Sequence, residues 1–136
     1  MLARKPFRLH PVDAPVTSRY GPRVDPVDGT PGSFHNGIDY AAPIGTPARS
    51  IGSGRVVAVN EDSRSGRFVI VEGQGPWAMW SWSYSHLSQS YVRVGDNVAE
   101  GEHIADTGDT GRVTGPHLHF VVKRGGALVD PSTVLP

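Results

Sequence analysis

The sequence predicts an all-β, or β-dominated, fold, and three observations carry that expectation. Val outnumbers Leu 17 to 6, and β-branched residues favour strands where Leu favours helices. The 17 glycines and 12 prolines mark a chain dense in turns. No window of eleven or more residues keeps a 3.6-residue apolar period. The apolar content still exceeds that of disordered chains, and 136 residues make one domain the default, with core enough to fold without crosslinks. The absence of cysteine excludes disulfide scaffolds, thiolate metal sites and cysteine nucleophiles.

Taken in order, the first fifty residues are punctuated by Pro11, Pro15, Gly21, Pro22, Pro26, Gly29, Pro31 and Gly32. Proline and glycine at that density forbid a persistent helix, so loops and short strands are expected there. Strands are then expected over 54–60, 67–72, 79–86, 91–94, 102–107 and 117–123, where β-branched and aromatic residues alternate with polar ones. Turns such as Gly73-Gln74-Gly75-Pro76 and Gly125-Gly126 separate them. Such spacing fits an antiparallel sandwich or barrel-like sheet rather than alternating βα units.

Thirteen basic and thirteen acidic side chains cancel, which leaves no overall field to draw in nucleic acid or anionic lipid. No apolar run approaches the roughly 18 residues of a membrane span. The basic residues of the first ten positions are followed by no apolar h-region, so no signal peptide is expected.

The chemistry lies in the histidines, six in all. His117 and His119, in Gly-Pro-His-Leu-His-Phe-Val-Val, are two apart on an expected strand, so both rings leave one face with Cα atoms about 6.7 Å apart. One can hold a metal while the other addresses what the metal binds. His35 and Asp39 flank Asn36-Gly37-Ile38; on a straight strand they would lie ~13 Å apart, too far to chelate together. A bend at Gly37, through dihedrals other residues avoid, would bring them together. His86 closes the alternating run Trp80, Trp82, Tyr84, His86, which parity places on one face. Together these signatures supply the His and Asp donors that zinc takes, three of which make a catalytic site with a fourth position left for water. Two histidines remain for proton transfer and oxyanion stabilisation.

At this point the sequence resembles the lysostaphin-type (LytM-like) zinc endopeptidases, which cut peptide crosslinks or stems of bacterial peptidoglycan. The resemblance runs from about Val16 to Leu135 and includes Thr17-Ser18-Arg19-Tyr20-Gly21-Pro22-Arg23, His35-Asn36-Gly37-Ile38-Asp39, Ala42-Pro43-Ile44-Gly45-Thr46-Pro47, Tyr84-Ser85-His86-Leu87, Gly95-Asp96-Asn97-Val98 and Thr110-Gly111-Arg112-Val113-Thr114-Gly115-Pro116-His117-Leu118-His119-Phe120. It implies an antiparallel β structure with Zn2+ on the floor of an open groove, in a domain of residues 16–136 preceded by an extension of residues 1–15. His35, Asp39 and His119 take the metal-ligand places. His86 and His117 take the catalytic places, sharing activation of the attacking water and stabilisation of the oxyanion in either assignment. Where relatives often carry Ser, Glu and Gly, this chain has Val113, Val121 and Ala105, and a missing Glu at Val121 bears on how the ligands are oriented.

Trp80, Trp82 and Tyr84 carry two readings, as rings covering a sheet face and as the wall of a substrate groove. His10 and His103 match no place in the resemblance and are expected as surface histidines. Asp13, Asp25, Asp28 and Asp130 are expected in turns. The implied partner is a bacterial peptidoglycan peptide, with no nucleic acid and no membrane span, and the chain is expected to act as a monomer at the cell wall, phage-encoded or released on lysis. An inactive relative that binds peptidoglycan or activates a partner hydrolase is the alternative; such relatives lack one or more ligands, and all five places are filled here.

Overall fold

The computed structural model describes residues 5–24, 29, 31–111, 113 and 115–136. Among them are strands β1 (Val16–Ser18), β2 (Gly21–Val24), β3 (Pro31–His35), β4 (Ile38–Tyr40), β5 (Pro47–Arg49), β6 (Gly54–Asp62), β7 (Gly66–Gly73), β8 (Trp80–Ser90), β9 (Asn97–Val98), β10 (His103–Thr107), β11 (Leu118–Arg124) and β12 (Ala127–Val129). Single 3-10 turns lie at Gly75–Trp77 and Pro131–Thr133, and no α-helix occurs among the described residues. The all-β expectation holds. Ten strands join one antiparallel sheet, whose main path runs β1-β4-β11-β8-β7-β6-β9, with β10 on β8 and β5 and with β12 on β11; β2 and β3 form a separate hairpin.

Most strand expectations fall within two residues of the observed bounds, apart from β8, which runs on to Ser90. The expected strand over 91–94 is not one. The Ser90 hydroxyl donates to the Val92 carbonyl at 3.0 Å and accepts from the Val92 N–H at 3.3 Å, and Asp96 accepts from the Arg93 N–H at 2.8 Å. These local bonds take backbone groups that a ladder would need, so the chain turns. Val92 still reaches the core, which explains its apolar character.

The core lies on one face of the long strands. Val69 and Val71 of β7, Trp82 and Tyr84 of β8, Leu118, Phe120 and Val122 of β11, and Ile38 and Tyr40 of β4 are all buried in it. The segment ahead of β1 joins it too: Phe7 stands edge-on to Trp80 and Trp82, with ring centroids 5.3 and 5.5 Å away, and the Trp77 indole donates to the Pro6 carbonyl. His10, half-buried at the surface, is also a structural link, bonded to the Tyr40 hydroxyl at 2.8 Å and the Pro136 carbonyl at 3.0 Å. His103 pairs with Asp106 at 2.7 Å on the surface. Asp130 caps its turn by accepting from the Ser132 N–H; Asp25, Asp28, Arg112 and Thr114 lie outside the described residues.

Candidate functional site

The other face of the sheet carries the histidines. In β11, Leu118 and Phe120 point into the core and His119 points away. His119 stands opposite Asp39 of β4 on one side and Ser85 of β8 on the other. His35 ends β3, and the chain crosses from the hairpin to the main sheet through Asn36 and Gly37. Gly37 is needed there for room rather than for an unusual dihedral: it is absent from the positive-φ glycines, and a Cβ on it would sit 2.2 Å from the Phe120 carbonyl oxygen. That close approach lets β4 lie against β11 directly after the crossing. The same missing side chain leaves space for Val121, whose Cγ2 would be 3.0 Å from such a Cβ.

Three donor atoms converge as a result. Asp39 Oδ1 lies 3.3 Å from His35 Nε2 and 2.8 Å from His119 Nδ1, and the two ring nitrogens are 3.3 Å apart. Tetrahedral donors at zinc bond lengths lie roughly 3.3–3.6 Å from one another; the two edges from His35 match that spacing, and the Asp39–His119 edge is shorter, at hydrogen-bond length. The outer nitrogens are also held. His35 Nδ1–H donates to the Arg19 carbonyl at 2.7 Å, and His119 Nε2–H donates to the Asn36 carboxamide oxygen at 2.8 Å. With its outer bond made, each neutral ring has a lone pair left for a cation shared with Asp39; His119 Nδ1, 2.8 Å from the carboxylate, is also its hydrogen-bond donor when it carries a proton. His35, Asp39 and His119 fit zinc on this geometry. Among the described residues they are the one His/Cys/Asp/Glu group with this property.

The two other histidines face the same place. His86 Nδ1–H donates to the Thr110 carbonyl at 2.7 Å, and His117 Nδ1–H to the Gly115 carbonyl at 3.0 Å. Their rings are 4.9 Å apart at the centroids, and His117 Nε2 is 4.0 Å from Asp39 Oδ1. Both thus present Nε2 to the opening, which continues into a pocket of about 250 Å3 lined by Thr17, Asp39, Ala41, Gly115, Pro116 and His117.

Charge in the site is set by these neighbours. Burial works to raise the Asp39 carboxyl, but the hydrogen bond from His119 and the charges of His119, His35 and His117 outweigh it and hold the group below the usual carboxylate range. Arg23 reaches the same carboxylate from the hairpin, with Nη2 3.8 Å from Asp39 Oδ2 and 2.8 Å from the Ser18 hydroxyl. His86 is pushed down chiefly by burial, against the hydrogen bond to Thr110, with the charges of His117 and His119 acting in the same direction as burial. It is neutral near pH 7.

Parity misplaces the aromatic run. Trp82 and Tyr84 are buried in the core at 1% and 0% exposure, and Trp80 packs partly buried beside Phe7 with Arg124 over its ring. None of the three walls a groove with the histidines. Ser83 and Ser85, opposite Val121 and His119 of β11, occupy the histidine face instead. The reason is a bulge: β8 places Ser85 and His86 against Phe68 alone, between the pairs Val69↔Tyr84 and Arg67↔Leu87. His86 takes up the extra residue at φ 66, the single positive φ of any non-glycine among the described residues, and so joins His117 and His119 instead of following Trp82 and Tyr84 into the core. Trp82→Ala is therefore expected to cost about 3–5 kcal/mol of stability, with normal specific activity in the folded fraction. Trp82→Phe costs much less, since the indole N–H finds no partner among the described residues and a ring is kept. Denaturant midpoints of the two variants check this.

The model of Peptidase family M23 matches residues 33–131. The chain belongs to this family. It is 39% identical over 128 residues to the peptidoglycan DD-endopeptidase ShyB of Vibrio cholerae, covering 91% of the chain and 29% of that protein. The crystal structure of a zinc-containing peptidase from Vibrio cholerae superposes with a TM-score of 0.85 at 38% identity, over 98% of this chain and 41% of that one. The catalytic domain of lysostaphin from Staphylococcus simulans gives a TM-score of 0.74 at 31% identity, over 88% and 90%. The chain spans under a third of the length of the curated relatives ShyA, ShyB and ShyC. No helix among the described residues is long and apolar enough to cross a membrane.

Sequence reasoning missed the residues that orient the rings: the Asn36 side chain and the carbonyls of Arg19, Thr110 and Gly115. Backbone acceptors leave no residue-type signal. Asn36 left one, as a carboxamide beside a proposed ligand.

Proposed function

We propose that this chain is a zinc-dependent endopeptidase domain that hydrolyses peptide crosslinks or stem peptides of bacterial peptidoglycan. The observation that carries the reading is the convergence of His35 Nε2, Asp39 Oδ1 and His119 Nδ1 within 3.3 Å of one another, with two further Nε2 atoms beside them. The relatives named above, a DD-endopeptidase and a zinc-containing peptidase, support it. The substrate is the peptide part of the bacterial cell wall, where the domain acts.

When bound, zinc supplies Lewis acidity toward water and toward the scissile carbonyl. The chain supplies the proton traffic. A neutral imidazole with Nδ1–H tied to a carbonyl accepts a proton at Nε2, and once charged it donates from the same atom. His86 and His117 are both tied in this way, so the pair covers removal of a proton from the attacking water, a hydrogen bond to the developing oxyanion and protonation of the departing amine. The open pocket beside Asp39 and His117 is where the substrate peptide would lie.

The zinc-loaded protein is to be incubated with purified peptidoglycan of two chemistries, one crosslinked through glycine bridges and one through diaminopimelate and D-alanine, and the released fragments identified by mass spectrometry. New peptide termini from at least one wall are expected, and the fragment masses name the bond. Wall binding with no fragment from either would overturn the reading in favour of an inactive binding or activating module.

A further inference from the structure

We propose that Thr110 is a positioning residue for His86, and that its side-chain hydroxyl does this by completing the β7–β8 ladder where the bulge opens it. The inference deepens the endopeptidase reading and rests on it for the consequence in turnover, though not for the geometry.

At the bulge, Arg67 of β7 and Leu87 of β8 stand opposite one another. The Thr110 hydroxyl sits between them, accepting from the Arg67 N–H at 3.1 Å and donating to the Leu87 carbonyl at 2.7 Å. One hydroxyl thus links a backbone donor and acceptor across the two strands. A part-buried peptide N–H and carbonyl left without partners would each carry a penalty, so the hydroxyl is held firmly, and with it the residue's own peptide group. The Thr110 carbonyl is the acceptor of His86 Nδ1–H.

The neighbouring backbone packs tightly against Thr110. Cβ atoms built on Gly66 and Gly111 would lie 2.3 Å from the Thr110 carbonyl carbon and from the Gly66 nitrogen, and both glycines have positive φ, 62 and 79. The β6–β7 turn and the loop after β10 therefore touch backbone to backbone. From the same turn, the Ser65 carbonyl accepts from the His86 N–H at 2.7 Å. The turn itself is closed by Asp62, which accepts from the Arg64 and Ser65 N–H groups. His86 is thus held at its backbone by Ser65 and at its ring by Thr110, and an otherwise unfavourable left-handed residue is over-determined by its surroundings. The ring bond sets the tautomer: with the proton on Nδ1, Nε2 keeps its lone pair toward the site.

The test compares Thr110→Val with Thr110→Ser in the zinc-loaded protein, reading kcat, KM, zinc content and the 15N shifts of the His86 ring. In wild type, Nδ1 is expected to be protonated and Nε2 not. Thr110→Val removes the hydroxyl and is expected to lower kcat by ~10-fold or more, the size seen when orienting partners are lost at metal sites, with KM and zinc content little changed and His86 in mixed tautomers. Thr110→Ser is expected to restore both kcat and the wild-type shifts. Thr110→Ala replaces the valine variant if that one does not fold. Wild-type kcat and an unchanged His86 tautomer in the hydroxyl-free variant would overturn the proposal, as would a wild-type His86 protonated at Nε2. Absence of turnover in wild type would instead count against the endopeptidase reading, and the ring shifts then decide the role of Thr110 alone.

Discussion

His35→Ala, Asp39→Ala and His119→Ala are each expected to take zinc from about one ion per chain to none and to reduce peptidase activity to background. Each variant deletes one corner of the triangle whose edges are 3.3, 3.3 and 2.8 Å, and two protein donors hold zinc far more weakly than three. Asp39→Ala is expected to be the most severe, because it also strips the one carboxylate from a place where three imidazoles and the Arg23 guanidinium converge. Metal analysis of purified variants checks the assignment, and full occupancy in all three would reject it. Chelation of wild type is expected to abolish activity yet leave a cooperative melt. The buried cluster of Trp82, Tyr84, Phe120 and their neighbours lies on the opposite sheet face and does not depend on the ion. Bound zinc raises the midpoint only by mass action, whereas unfolding on chelation would indicate a structural site.

His86→Ala and His117→Ala are expected to behave in the opposite way, keeping zinc while losing turnover by roughly 10²-fold or more, the scale of a deleted proton-transfer or oxyanion partner. Neither Nε2 belongs to the donor triangle, so the ion has no reason to leave. The two variants differ in stability. Alanine at position 86 keeps the strain of φ 66, which only glycine relieves, so His86→Gly is expected to melt no lower than His86→Ala and to be equally inactive. Turnover of a defined crosslinked peptide, measured beside zinc content, checks both. Near wild-type turnover in either alanine variant would remove that histidine from the proposed machinery.

The histidine and aspartate positions were legible because residue type and order along the chain survive folding unchanged, and the structure brings all five to one place. Gly37 was legible as a special position but for a different reason: its neighbour across the sheet, the Phe120 carbonyl at 2.2 Å from a would-be Cβ, belongs to a segment more than eighty residues away. Asn36, Arg19, Gly115 and Thr110 were not legible as orienting groups, since three of them act through carbonyls that every residue has.

By itself, then, the sequence determined the strand content, the turn-rich first fifty residues and the set of metal-capable side chains, all of which follow from local propensity and residue chemistry. The tertiary structure alone decided which face those side chains share. Parity runs along one strand and carries Trp82, Tyr84 and His86 together, but a bulge is set by the partner strand. The extra residue opposite Phe68, pinned by Ser65 and Thr110 from two other loops, sends two rings into the core and the third into the site. No pattern within residues 80–86 contains that information, because the contacts that impose it come from β7 and from the loop after β10.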